Sequence, residues 1–152
     1  MGRSWRAHTL PATSQPGDPL DAASDHNADM NASGALIAES LSKDNPLDGV
    51  DLHVRKISRA NVGDVSAGQP ITWTFIEFEA DEQVVTDLAE ALSRSISASG
   101  GWYCDFRTDD ETFVVFASRV FRYPRGETEG RAEAETYGRT VGVPEVQLDW
   151  PE

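Results

Sequence analysis

Apolar and polar positions alternate most clearly in WYCDFR at 102–107, where Trp102, Cys104 and Phe106 fall on one side and Tyr103, Asp105 and Arg107 on the other. A period of two marks a strand whose faces meet different surroundings. Thr108, Asp109, Asp110 and Glu111 suit a turn, and Thr112 to Tyr123 then resumes with Phe113, Val114, Val115 and Phe116. β-branched and aromatic residues at this density predict a long central strand, so 102–123 reads as a hairpin that the rest of the chain covers or extends. Ser118 and Arg119 interrupt the apolar run, which predicts a bulge or the point where the strand leaves the core.

The other elements follow from the same patterning. In 33–43, SGALIAESLSK, Leu36, Ile37 and Leu41 stand at helical spacing, with Ser33 as N-cap and Lys43 at the negative end of the dipole, so a short helix is predicted. Residues 50–58 alternate Val50, Leu52 and Val54 with Asp51, His53 and Arg55 and read as an edge strand. Two glycines, Asp64 and Pro70 make 61–70 a loop. Residues 71–80 carry large apolar groups on both faces, the mark of an interior strand. From Asp81 to Ser97, Val84, Leu88, Leu92 and Ile96 recur every four residues, an amphipathic helix with Gly100-Gly101 as its left-handed stop. Residues 128–140 predict a second helix, with Thr128 as N-cap, Glu127/Arg131 and Glu135/Arg139 as ion pairs four apart, and two costly glycines. Val146, Leu148 and Trp150 alternate with polar residues and predict a final strand.

From residue 71 the order is therefore strand, helix, strand, strand, helix, strand. That order resembles ferredoxin-like domains: an α+β two-layer sandwich, βαββαβ, with both helices on one face of a four-stranded antiparallel sheet, here extended by the 50–58 edge strand. The crossover rule sets strand 71–80 parallel to strand 102–107. Residues 1–32, poor in large apolar groups, predict a disordered tail, 33–49 a short helix and linker, and 50–152 a single domain. Such a scaffold leaves one sheet face open, and here that face carries aromatic groups. Trp73, Phe75 and Tyr103 are thus interface candidates, to be covered by the 33–43 helix, by a second copy of the chain in a homodimer, or by a ligand.

Charge narrows the partners. The formal net charge is -13, and residues 51–152 alone hold 10 Lys and Arg against 19 Asp and Glu. A surface this negative repels nucleic acid and anionic membrane and favours a basic protein partner. A single cysteine forms no internal disulfide, the N-terminus lacks the apolar run of a secretory signal, and no stretch approaches a membrane span, so a cytoplasmic location is expected. Neither a metal-ligand spacing nor a phosphate-cradling glycine motif is present, and no metal or cofactor is expected. The polar set worth naming is Tyr103, Asp105, Arg107, Arg122 and Tyr123, which hairpin pairing would bring together. The set reads first as a cross-strand ion pair of Asp105 with an arginine, and otherwise as a site for an anionic small molecule, arginine gripping and aspartate orienting. With no nucleophile beside a base, the expectation is a small acidic, non-enzymatic interaction protein that binds a protein partner, a basic toxin or effector being one form, through its sheet face or acidic rim. A ligand-binding or enzymatic domain using the polar set is the alternative.

Overall fold

The computed structural model describes residues 30–151, so all but the last three residues of the expected tail lie outside the described part. Six strands form one sheet: β1 (Ala32–Ile37), β2 (His53–Asn61), β3 (Thr72–Ala80), β4 (Cys104–Arg107), β5 (Glu111–Phe116) and β6 (Arg119–Pro124). Their spatial order is β2-β3-β1-β4-β5-β6, and every neighbouring pair is antiparallel. Two α-helices accompany them among the described residues, α1 (Val85–Ser95) and α2 (Thr128–Thr140). The chain is thus α+β with an antiparallel sheet, but wider than four strands and differently assembled than expected.

Residues 33–37, expected to begin a helix, and Ala32, expected to end the tail, form β1 in the middle of the sheet. There the backbone pairs on both sides, Ala32↔Ala80 to Ile37↔Phe75 with β3 and Ser33↔Arg107 to Ala35↔Asp105 with β4. A helix of three turns is marginal alone, whereas a central strand gains two ladders of hydrogen bonds. Because β1 is antiparallel to both β3 and β4, those two strands point the same way, as the crossover through α1 requires, with β1 lying between them.

The run 112–123 is two strands, β5 and β6, joined by a tight turn at Ala117-Ser118 with Ser118 at φ 63°. An unbroken strand there would have outrun the usual length. The interruption seen in the sequence is a chain reversal rather than a bulge. The final strand expected at 146–150 is absent from the sheet. Pro144 instead leads into a 3-10 turn, Glu145–Gln147, after which Leu148 and Trp150 pack inward at 8% and 1% exposure.

The helices lie on opposite faces, not on one. Phe113 and Val115 of β5 join a cluster with Val85, Leu88 and Leu92 of α1, while Val114 and Phe116 join one with Ala134 and Tyr137 of α2. Alternate residues of a strand point to opposite faces, so β4 to β6 are the middle of three layers. α1 starts later than expected, after a 3-10 turn at Glu82–Val84 where the Asp81 side chain accepts from the Gln83 N–H at 2.8 Å. It ends at Ser95, and Ile96 is already extended and bridges to Leu41, so the left-handed glycines at 100 and 101 shape the approach to β4 rather than the helix end. The glycines that look costly in α2 permit close packing: a Cβ on Gly130 would sit 2.5 Å from Tyr123 Cβ, and one on Gly138 2.8 Å from Leu148. Helix propensity is exchanged for contact with the sheet. No helix among the described residues is long and apolar enough to cross a membrane.

Candidate functional site

Strand register, not sequence proximity, assembles the polar groups. On the face beneath α2, one row crosses five strands as Glu79, Ser33, Arg107, Thr112 and Tyr123, and the next as Glu77, Ala35, Asp105, Val114 and Phe121. Directly opposed residues in such rows have Cβ atoms about 4.5–5.5 Å apart. Tyr103, Asp105, Arg107 and Tyr123 therefore share one face, as the hairpin pairing predicts.

Arg122 does not join them. It points to the α1 face, where its Nε and Nη2 bind Glu111 at 3.0 and 2.8 Å and its Nη1 donates to Thr86 Oγ1 at 3.0 Å. Its guanidinium lies 4.8 Å from the centre of the Phe113 ring, and the hydrogen bond to Glu111 raises its pKa further. The adjacent position in a strand necessarily faces the other way, so Arg122 and Tyr123 were never compatible in one cluster. The arginine over the polar rows is Arg131, from α2. Its Nε donates to Glu135 at 2.9 Å, the turn opposite to the Glu127 pairing expected, and its guanidinium lies 5.1 Å from the Trp150 ring.

The interface candidates are buried within the chain. Trp73 is 1% exposed, donates to the Pro70 carbonyl at 2.8 Å and packs on Trp102 at 5.1 Å, and Phe75 and Tyr103 are 7% and 4% exposed. Over β4 to β6 the face expected to stay open is covered by α2 and by residues 141–150. The tyrosines hold that cover down. Tyr103 donates its hydroxyl to the Gln147 carbonyl, and the Trp150 indole N–H donates to the Tyr123 hydroxyl at 2.7 Å. Gln147 in turn donates to the Asp64 carbonyl at 2.8 Å. Trp150 and Arg131, which the sequence left outside the candidate site, are thus central to it; their signal was the position of Trp150 near a helix that needed a larger apolar face.

Burial disfavours the charged phenolate and raises the pKa of Tyr123, a rise that the Trp150 hydrogen bond and Arg131 oppose and that Asp105 and Glu135 reinforce. A folded pKa above the unfolded value gives stability that is complete below the unfolded tyrosine range and lost as pH rises through the folded pKa. Denaturant midpoints are accordingly expected to fall above about pH 10, and Tyr123→Phe should flatten that part of the profile; an unchanged slope in the variant would assign the loss to other groups. Two buried polar atoms in this region, Thr112 Oγ1 and Arg131 Nη1, have no hydrogen-bond partner among the described residues.

A second arrangement lies at the end of the sheet where β3, β4 and β6 finish. Three connections meet there: Asp81, which caps the turn before α1, with Glu82; Asp109 and Asp110 between β4 and β5; and Glu127 and Glu129 at the start of α2, with Arg125 among them donating to the Thr108 and Asp109 carbonyls at 3.4 Å. With strands about 4.8 Å apart, β3 to β6 span about 19 Å, so the carboxylates line a rim of protein-contact size. An open groove of about 630 Å³ between β6 and α2 continues it, with Glu129 and Glu133 beside Phe121 and Tyr137. Arg119 roofs the two rings at 4.5 and 5.2 Å. Comparison with protein-family models, curated proteins and solved structures gives no match to the chain.

Proposed function

We propose that this protein is a non-enzymatic interaction protein that binds a basic protein partner, a basic toxin or effector being one concrete form, on the acidic rim and the groove that continues it along α2. The observation that carries this is the convergence of exposed carboxylates from three separate connections at one end of the sheet. Such a rim steers a cationic surface into contact, and aromatic groups in the adjoining groove supply short-range affinity. With the aromatic sheet face covered over β4 to β6, the rim is favoured over the face. A cytoplasmic location goes with this reading, and the β3-α1-β4 unit with β1 between its strands supports a ferredoxin-like ancestry of architecture, widened to six strands. The test is to capture the partner from the native cell and follow its association rate between about 50 and about 300 mM salt. A fall of about ten-fold or more is expected, with a comparable loss in a variant carrying Asp109→Asn, Asp110→Asn and Glu127→Gln. Association indifferent to salt and to those changes removes the rim from the account.

The unpartnered Thr112 Oγ1 and Arg131 Nη1 favour a second reading, a small anionic ligand held beneath Trp150 by these groups with Arg107, Asp105 and the two tyrosines. Buried donors left unmade cost about 1–3 kcal/mol each, which a ligand oxygen would offset. Acetate or phosphate should then raise the melting temperature, and Thr112→Val should abolish the shift. No shift with either anion ends this reading.

A further inference from the structure

β2 is locally basic in an acidic molecule, although its neighbour β3 sets Glu79 at 3.9 Å from Arg55 and Glu77 opposite Lys56. The nine residues of β2 include Arg55, Lys56 and Arg59 and no acidic residue, within a chain of formal charge -13. All but Ser58 are exposed, among them Val54 at 47% and Ile57 at 63%. β2 is also the outermost strand on its side, so its outer row of N–H and C=O groups meets no strand among the described residues.

Exposed edges are normally blunted by shortness, proline, a covering element, lysine charge or a bulge. The opposite edge has two of these: β6 is six residues long and ends at Pro124. β2 is nine residues long and has no proline; what guards it against its own kind is the charge of Arg55, Lys56 and Arg59 and a bulge between Val54 and Lys56 at its start, and that charge does not repel an acidic strand. We propose that β2 docks an extended, acidic segment of a partner protein, which adds to the sheet as a further strand. Main-chain hydrogen bonds would carry the affinity; Arg55, Lys56 and Arg59 would select carboxylates, and Val54 and Ile57 would supply apolar contact. A second copy of this chain fits poorly. Pairing β2 with itself about Ile57 sets Arg55 against Arg59 of the other copy, and like charges directly opposed destabilise a sheet. This edge begins beside the β3 end of the acidic rim, at His53↔Glu79, runs away from it, and takes a partner segment of the opposite charge.

The probes are two synthetic peptides, one of Glu-Val repeats and one of Lys-Val repeats, titrated into isotope-labelled protein while backbone amides are followed by NMR. The Glu-Val peptide should shift the amides of residues 54–60 and bind about ten-fold or more tighter than the Lys-Val peptide. Reversal of Arg55, Lys56 and Arg59 to Glu should invert that preference with the amides of β4 and β5 unmoved. An N-methylated Glu-Val peptide should fail to bind, because it lacks the donors of a strand ladder. Equal binding of both charges, full binding of the N-methylated peptide, or a single-stranded oligothymidylate competing as well as the acidic peptide would each overturn the proposal. So would a mass doubling with concentration that Ile57→Lys abolishes, since it would put a second copy on this edge.

Discussion

Replacing Gly34 by alanine is expected to destabilise the protein by about 3 kcal/mol or more, the upper range for forcing extra volume into a packed site. Gly34 lies opposite Phe78 on one side and Phe106 on the other. A Cβ there would collide with the Asp105 carbonyl oxygen and with the Cα and Cβ of Phe106, all backbone or backbone-anchored atoms that no rotamer change can move. Relief requires β1 and β4 to part, which breaks hydrogen bonds in the centre of the sheet. The sign of the effect is diagnostic. In a helix over 33–43 the same substitution would stabilise by up to about 1 kcal/mol. Urea midpoints of the two proteins decide between them, and a midpoint that rises would mean that β1 is not where the pairing puts it. Against a typical total of about 5–15 kcal/mol, the expected loss is a large fraction of what holds the fold.

Trp150→Ala is expected to cost about 3–5 kcal/mol, the range for emptying a fully buried aromatic site. The indole is 1% exposed, meets Tyr103 edge-on at 5.3 Å and 73°, lies under the Arg131 guanidinium at 5.1 Å, and donates to Tyr123. Its removal would open the polar rows beneath α2 and leave Arg131 over a void. Trp150→Phe keeps most of the ring but takes the donor from the Tyr123 hydroxyl, so a smaller loss of about 1–3 kcal/mol is expected. Val146→Ala, at a position 43% exposed, should stay within about 0.5 kcal/mol. Were 146–150 an edge strand, Val146 and Trp150 would share a face and weaken the fold together. Chemical denaturation of the three variants, with near-UV dichroism for the Trp150 environment, separates the cases.

Local patterning made some of this molecule legible and tertiary context hid the rest. β3, β4, α1 and α2 were readable because their periodicities are long or strict: alternation in 102–107, a four-residue stripe in Val84 to Ile96, and a proline and glycine bracketing 128–140. β1 was not, because Leu36 and Ile37 with small neighbours satisfy a helix as well as a strand, and what decides is the slot between β3 and β4 that only Gly34 fits. The Ala117-Ser118 reversal announced itself only as a polar interruption, and nothing local distinguishes a turn from a bulge until β6 is seen to pair back on β5. For the site, the hairpin placed Tyr103, Asp105, Arg107 and Tyr123 on one face. Arg122 stands beside them in sequence, but strand alternation sends it to the other face, and the place of Arg131 depends on which face α2 covers, which no local pattern encodes.

β1 leaves the ribosome before both of its neighbours: Ala32 waits for Ala80, and Ser33 waits for Arg107. Closing contacts so far apart in sequence is entropically expensive and slows folding. A nascent chain that has emerged only as far as α1 holds β1 zipped to β3 with its other side bare, an unpaired ladder in the heart of what will become the sheet. Synthesis past Arg107 is what seals it, so a pause or a premature stop between Ser95 and Cys104 would release a species primed to pair with its neighbours on a polysome.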